Sequence, residues 1–169
     1  METRLLSPTP EGLAEAAAIL SQGGLVAMPT ETVYGLAGDA RSDLAVARIY
    51  AAKNRPQFNP LIVHLPDLAA VAQYAVLTPE AARLAAAFWP GPLTMVLPLR
   101  DDAGLSPLVT AGLDTVAIRV PRHRAMQALL AASGRPLAAP SANASGGISP
   151  TRAAHVRASL GPAVPILDD

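Results

Sequence analysis

Residues 53–64 read K-N-R-P-Q-F-N-P-L-I-V-H and place two cations immediately before an apolar segment. Lys53 is the only lysine of the chain, and Arg55 follows two residues later. Pro56 and Asn59-Pro60 mark turns, because proline has no N–H group and restricts the residue before it. Residues 61–63 are typical of a buried strand. The stretch therefore predicts a stiff loop that carries two cations into a sheet, as an anionic ligand requires.

A second interpretation of Lys53 and Arg55 is open at this point. Ser42-Asp43 is typical of a helix start, and that helix would deliver Lys53 at its C-terminal end. Basic side chains at such an end also interact favourably with the last carbonyl groups and with the helix dipole. The two charges alone do not distinguish an anion site from an ordinary helix end.

A second polar stretch, P-S-A-N-A-S-G-G-I-S-P at residues 140–150, precedes the last predicted helix. Ser141, Asn143 and Ser149, with the glycines between them, offer hydroxyl, amide and backbone N–H groups. Such donors before a helix N-terminus bind phosphate oxygens. The alternative is that Ser149 is only the N-cap of the helix and that the remainder is an ordinary loop.

Polar residues also stand at the ends of other predicted strands. Thr30 and Thr32 lie in P-T-E-T-V-Y-G-L, residues 29–36, where α/β sheets commonly bind ligands; alternatively they only terminate a strand. His64 ends an apolar strand, and histidine in that position is more often structural than ligand-binding. Arg119 lies near the end of V-A-I-R-V, residues 116–120, and an arginine there generally has a carboxylate or phosphate partner, because burying it unpaired is costly.

Length and composition indicate one compact domain without a strongly basic surface. A chain of 169 residues with 51% apolar residues suits a single core. The charges of thirteen basic and thirteen acidic residues cancel, so the net charge does not indicate a nucleic-acid-binding surface. The chain has no cysteine, which excludes disulfides and cysteine-ligated metals. No signal peptide and no membrane-spanning apolar run is recognisable, and we expect a soluble cytoplasmic protein.

Strand and helix patterns alternate along the chain. Capping residues and closing glycines or prolines predict helices at about 10–20, 43–53, 67–74, 79–88, 123–133 and 149–160. Apolar runs predict strands at 25–28, 61–64, 93–99, 115–120, 137–139 and 164–167. The F-W-P-G-P stretch at 88–92 is interpreted as a rigid structural turn. We therefore predict an α/β fold, with a single domain, a twisted and mostly buried mixed sheet, and flanking helices.

The usual nucleotide and hydrolase motifs are missing from the sequence. There is no G-x-x-x-x-G-K-[ST], no G-x-G-x-x-G, no G-x-S-x-G and no H-E-x-x-H. Any nucleotide site must be of another type.

Five stretches together resemble the threonylcarbamoyl-AMP synthase family, which has the YrdC-like fold. They are residues 29–36, 53–64, 88–94, the strand that ends in Arg119, and 140–146, and they occur in that family's order. The resemblance spans residues 23–169. It implies a nucleotidyltransferase that makes threonylcarbamoyl-AMP and pyrophosphate from L-threonine, bicarbonate or CO₂, and ATP, for the threonylcarbamoyladenosine modification of tRNA.

The resemblance also implies roles for single residues. The positions that match its ATP contacts are Lys53, Arg55, Asn59, Thr115, Ser141, Asn143 and Ser149. The positions that match its threonine contacts are Thr32, His64, Arg119 and Ala139, with Arg119 pairing with the threonine carboxylate. Lys53 and Arg55 would be the catalytic cations that neutralise phosphate charge. Mg²⁺ would be bound through the ATP phosphates, with no protein side chain as a metal ligand.

Two further expectations concern the chain as a whole. Members of the family usually continue past the position of Asp169 with a segment that adds ligands, so residues 1–169 are expected to be a YrdC-like domain that ends early. Candidate macromolecular partners are tRNA and a tRNA-modifying transferase protein. The main alternative is a non-catalytic module that binds tRNA or double-stranded RNA, against which zero net charge and few aromatic residues argue. A related domain that works on carbamoyl phosphate normally shares its chain with acylphosphatase-like and zinc-finger regions, and neither pattern is seen here.

Overall fold

The structure, a computed structural model, describes residues 2–56 and 59–169. Within these residues the helices are α1 (Pro10–Ser21), α2 (Asp43–Lys53), α3 (Leu68–Tyr74), α4 (Pro79–Phe88), α5 (Arg124–Ser133) and α6 (Ala153–Leu160). The strands are β1 (Leu5–Leu6), β2 (Val26–Met28), β3 (Gly35–Asp39), β4 (Ile62–His64), β5 (Thr94–Pro98), β6 (Thr115–Arg119), β7 (Leu137–Ala138) and β8 (Ile166–Leu167). No helix among these residues is both long and apolar enough to cross a membrane.

The strands form one mixed sheet in the order β1-β8-β2-β3-β7-β4-β6-β5. β8 is parallel to both β1 and β2, and β4 is parallel to β6, while the other neighbouring pairs are antiparallel. The predicted mixed α/β fold is confirmed. Two strands, β1 and β3, were not predicted, because β1 is too short to show a pattern and β3 contains glycines and an aspartate, which are depleted in strands.

Helices cover both faces of the sheet. In β2, Val26 and Met28 belong to one apolar cluster with Leu20 of α1 and residues of α5. Ala27, between them, belongs to a second cluster with Ile49 of α2 and residues of α3, α4 and α6. Because successive side chains of a strand point to opposite faces, α1 and α5 cover one face and the other four helices cover the second. The prediction of a mostly buried sheet is therefore confirmed.

Polar caps begin four of the helices at the predicted places. The side chains of Thr9, Ser42, Asp67 and Thr78 each accept a hydrogen bond from a backbone N–H three residues later. The turn after α4 is also as predicted, since Trp89 Nε1 donates to the carbonyl of Leu93 at 2.7 Å. These local signals were reliable because they act within a few residues.

The start of α6 was predicted wrongly. Ser149-Pro150-Thr151 was expected to open this helix, but it begins at Ala153 after Arg152, and Arg152 makes no side-chain capping bond. The carbonyl of Pro150 instead accepts a 2.8 Å hydrogen bond from the N–H of Tyr34. This long-range contact keeps Pro150 outside the helix, and Ser149 is an exposed loop residue.

The predicted end of α2 at Lys53 is confirmed, and Asn54, in the left-handed region with φ 51°, follows it as the C-cap. The prediction that both cations lie on the following loop is wrong for Lys53. Lys53 is a helical residue, and only Arg55 lies on the predicted loop. Residues 57 and 58 of that loop lie outside the described residues.

Candidate functional site

Lys53 connects the end of α2 to the loop that follows β7. Its side chain is almost fully buried, with 1% of the residue exposed. Its Nζ donates to the backbone carbonyls of Ser141 and Asn143, both at 2.5 Å. The carbonyl of Lys53 in turn accepts a 2.8 Å hydrogen bond from the N–H of Ser145. The lysine thus holds residues 141–145 by both its side chain and its backbone.

The ammonium group of Lys53 is held by neutral partners. Burial, and secondly the nearby charge of Arg55, lowers the pKa of Lys53 to about 8. At neutral pH the group is still mostly protonated, and carbonyl oxygens do not cancel its charge. A positive charge enclosed in this way favours an anion nearby.

Arg55 lies against the turn that precedes β4. Its Nη2 donates to the carbonyl of Pro60 at 3.0 Å, and its Nε lies 3.5 Å from the carbonyl of Asn59. The same Asn59 carbonyl accepts a 2.6 Å hydrogen bond from the hydroxyl of Tyr50 on α2. A guanidinium has five N–H donors, and these contacts engage only two of them.

The strand register brings other predicted nucleotide residues to this end of the sheet. β4 pairs in parallel with β6 through Ile62 and Ala117, and antiparallel with β7. Continuing both registers by two or three residues places Thr115 and Ser141 on either side of Pro60. Five of the predicted nucleotide positions therefore gather where β4 begins: Lys53, Arg55, Asn59, Thr115 and Ser141.

The loop at 141–149 is organised by Asn143. Its amide Nδ2 donates to the carbonyls of Ala144 at 2.8 Å and Gly147 at 3.1 Å. Its Oδ1 is buried and has no hydrogen-bond partner among the described residues. Ser149, by contrast, borders an open hollow of about 430 Å³ that is also lined by Ile148 and His155. No described contact joins Ser149 to Lys53.

Arg119 is the centre of a second polar group. It is buried, with 7% of the residue exposed, and each of its nitrogens has a partner. Nε donates to the carbonyl of Gly91 at 3.1 Å, and Nη1 donates to Oγ1 of Thr32 at 3.1 Å. Nη2 forms an ion pair with the carboxylate of Glu31. Thr32 and Arg119, predicted to contact the same substrate, are thus in direct contact.

Glu31 is the residue of this polar group that the sequence analysis missed. We expected a substrate carboxylate as the partner of Arg119, and the structure instead places the chain's own Glu31 there. The second carboxylate oxygen of Glu31 accepts a 2.6 Å hydrogen bond from the N–H of Arg122. The available signal was its position next to Thr32, in the linker between β2 and β3.

His64 lies beside Arg119 on the neighbouring parallel strand, in direct register. It is buried, and its Nδ1 has no partner among the described residues. Burial, followed by the charge of Arg119, lowers the pKa of His64 to about 4, so the imidazole is neutral at neutral pH. A neutral imidazole beside a guanidinium can donate or accept a hydrogen bond without adding positive charge.

Ala139 completes the residues that were predicted to hold threonine. Its N–H donates to the carbonyl of Ile62 at 3.1 Å, which places it two positions from His64 along β4. Alternation along the strands then puts Ala139, His64 and Arg119 on the face covered by α1 and α5. Ala139 has no reactive side chain, and its contribution would be its small size and its backbone.

No group of three or more histidine, aspartate or glutamate side chains is arranged to hold a metal ion within residues 2–56 and 59–169. The site instead has two separate groups that contain cations: Lys53 with Arg55, and Arg119, whose charge is paired with that of Glu31. Such an arrangement is suited to a ligand or ligand pair with two anionic groups.

Comparison with known proteins gives consistent matches. A family model described as telomere recombination, Sua5/YciO/YrdC, matches residues 18–169. A threonylcarbamoyl-AMP synthase of Bacillus subtilis is 53% identical over 152 residues, covering 89% of this chain and 44% of the relative. One from Halorhodospira halophila is 42% identical over 153 residues, covering 90% of this chain and 79% of the relative.

Solved structures agree with the sequence matches. The structure of Pyrococcus abyssi Sua5 complexed with L-threonine superposes with a TM-score of 0.91 at 44% identity, covering 99% of this chain and 50% of that one. The chain spans less than half of the length of the Bacillus, Pyrococcus and Schizosaccharomyces relatives that it matches.

Proposed function

The chain belongs to the Sua5/YciO/YrdC family, and on this premise we propose that it forms L-threonylcarbamoyl-AMP and pyrophosphate from L-threonine, bicarbonate or CO₂, and ATP. The observation that carries the proposal is the contact of Arg119 with Thr32 beside the neutral, buried His64. The names of relatives at 42–53% identity support the same activity.

The proposed threonine site is built around Arg119. Its planar guanidinium would pair with the carboxylate of the amino acid, for which the fork of N–H groups is suited. Thr32 and the neutral His64 would bind the remaining polar groups of threonine, and the small Ala139 would leave space for the substrate. The matching P. abyssi Sua5 structure is a complex with L-threonine.

The proposed ATP site is the cationic end of the sheet. Lys53 and Arg55 would neutralise phosphate charge, and the loop at 141–149 would present Ser141, Asn143 and Ser149. Asn59 lies just before β4, and Thr115 is the first residue of β6, so both flank this region. Mg²⁺ would be supplied with the ATP phosphates, which fits a donor set made of cations, hydroxyls and amides without clustered carboxylates.

The reaction needs positioning more than it needs a protein nucleophile. The threonine amine adds to CO₂ and loses a proton, which gives a carbamate. A carbamate oxygen then attacks the α-phosphorus, and the bond from that phosphorus to the oxygen bridging to the β-phosphate breaks, releasing pyrophosphate. Because two anions must meet, the cations would lower the barrier by cancelling their repulsion and fixing their orientation.

The use of the product in tRNA modification is part of the same proposal. We propose that the product is passed on to threonylcarbamoyladenosine formation in tRNA, in the cytoplasm, through tRNA or a tRNA-modifying transferase. A non-catalytic RNA-binding module is less well supported, because the matching relatives carry the name of an enzyme and the net charge is zero.

Pyrophosphate release tests the proposal directly. ATP, Mg²⁺ and bicarbonate are incubated with the protein, with and without L-threonine, and release that depends on threonine is expected. If there is none, calorimetry with ATP and with L-threonine distinguishes an inactive binder from a protein of another function. Absence of binding to both ligands would overturn the proposal.

A further inference from the structure

Arg119 forms an ion pair with the carboxylate of Glu31, at the position where a substrate carboxylate is expected. The side chain of Arg119 is 9% exposed and that of Glu31 is 22% exposed. Glu31 lies in the linker between β2 and β3, outside any helix or strand. The ion pair is therefore formed between a strand residue fixed by packing and a residue on an irregular segment at the protein surface.

Burial explains why the free protein needs this contact. A guanidinium removed from water and left without an anion is strongly disfavoured. The carbonyl of Gly91 and the hydroxyl of Thr32 satisfy Nε and Nη1, but neither carries a charge. Glu31 supplies the missing negative charge at Nη2.

A substrate carboxylate that approaches the same guanidinium would meet Glu31. Two carboxylates within a few ångströms repel each other, and the repulsion is larger away from bulk water. Glu31 can leave at little cost, because its second partner, the N–H of Arg122, belongs to an exposed residue that water can solvate. Exchange of one carboxylate for the other keeps Arg119 paired in both states.

We propose that Glu31 is a specificity residue that occupies the carboxylate position of the amino-acid site and is displaced only by a ligand that brings its own carboxylate. The proposal rests on the proposed function, since it takes Arg119 as the carboxylate-binding residue for the amino acid. A ligand with the same amine and hydroxyl but no carboxylate cannot replace Glu31. Glu31 thereby favours the binding of amino acids over that of the corresponding amino alcohols.

The test compares ligand affinities of Glu31→Gln and the unchanged protein by calorimetry. Glutamine keeps the size of the side chain and removes its charge, and a charge-assisted hydrogen bond is about twice as strong as a neutral one. The dissociation constant for L-threonine is expected to fall by about threefold to tenfold. L-threoninol, which lacks the carboxylate, and ATP are expected to bind no more tightly than before.

A matched control is Glu80→Gln on α4, whose side chain is 74% exposed and which should leave all three affinities unchanged. Glu31→Asp provides a second variant, in which a shorter carboxylate reaches Arg119 less well, and it should shift threonine affinity in the same direction by a smaller factor. If Glu31→Gln does not fold, tighter threonine binding by Glu31→Asp still tests the proposal.

Each remaining outcome overturns the proposal. Weaker threonine binding by Glu31→Gln would show that Glu31 positions Arg119 for the substrate. Equal tightening of ATP or threoninol would show a general charge effect. If the unchanged protein binds no threonine, the threonine site of the proposed function fails and this proposal fails with it; if it binds threonine and the variants gain nothing, only this proposal fails.

Discussion

The ammonium of Lys53 donates a 2.5 Å hydrogen bond to the backbone carbonyl of Ser141, a residue 88 positions later in the chain. This contact fixes the distance between a cation on α2 and a serine on the loop after β7. Both residues belong to the proposed nucleotide site, so the lysine has two roles, as a charge and as a tie between segments. The two roles can be separated by measurement.

Replacing Lys53 by methionine is expected to lower the rate of threonine-dependent pyrophosphate release at least about tenfold, equivalent to about 1.4 kcal/mol of barrier. The free energy of unfolding should change by no more than about 1 kcal/mol. The variant leaves two buried carbonyls unpaired, which costs stability, but it also removes a buried charge, which gains stability. Urea unfolding and the pyrophosphate assay measure the two effects. Arg83→Met, at a 74% exposed side chain on α4, is the control. Unchanged turnover in Lys53→Met would remove the lysine from the mechanism.

The pH dependence of activity should report the lowered pKa of Lys53. With a pKa of about 8, the ammonium loses its proton as pH rises above 8, and kcat/KM for ATP is expected to fall about tenfold per pH unit there. In Lys53→Arg the guanidinium remains protonated throughout this range, so the decline should disappear from any activity that this variant retains. The same decline in Lys53→Arg would assign it to another group.

His64 should make the folded state sensitive to acid. Its pKa is about 4 in the folded protein and about 6.5 when unfolded. Between these values only the unfolded chain holds the proton, so the free energy of unfolding falls as pH decreases from 6.5 to 4, by at most about 1.4 kcal/mol per pH unit. In His64→Gln this part of the slope should vanish. Urea titrations followed by the fluorescence of Trp89, the single tryptophan, measure it.

The control for His64 is His155→Gln, since His155 is exposed on α6. This variant should retain the slope of the unchanged protein. Equal slopes in all three proteins would show that the pKa of His64 does not differ between the folded and unfolded states.

Replacing Arg119 by lysine is expected to weaken threonine binding selectively. A lysine keeps the charge but cannot donate at once to Gly91, Thr32 and a carboxylate with planar geometry. The dissociation constant for L-threonine should rise at least about tenfold, whereas that for ATP should stay within about twofold. Calorimetry with each ligand measures both. Arg122→Lys, an exposed neighbour, is the comparison, and an equal loss of ATP affinity in Arg119→Lys would contradict two separate sites.

The sequence was informative where the controlling interactions are short in range. Thr9, Ser42, Asp67 and Thr78 cap helices by accepting from N–H groups three residues later, and all four helices were predicted. β3 was missed because its glycines and aspartate are unfavourable in strands, and its place in the sheet depends on pairing with β2 and β7. Ser149 was misjudged as a helix start because the contact of Pro150 with Tyr34 spans most of the chain.

The candidate site was likewise predictable only in the features that depend on local sequence. The charge and position of Lys53 and Arg119 were visible in the sequence, because a lone lysine and an arginine within an apolar strand are unusual. Their partners were not visible. Neither the carbonyl of Ser141 nor the carboxylate of Glu31 can be assigned from local sequence, since both contacts join segments 88 residues apart.

The position of β8 between β1 and β2 has a consequence during synthesis on the ribosome. Leu5 and Ala27 both pair with Ile166, so two strands that are synthesised early lack this partner until about 160 and 140 residues later, respectively. Until then their hydrogen-bonding edges face solvent, and open strand edges are where chains associate wrongly. A nascent chain that stalls before residue 166 would therefore keep these strand edges open to wrong association, even though the other strands of its sheet have been synthesised.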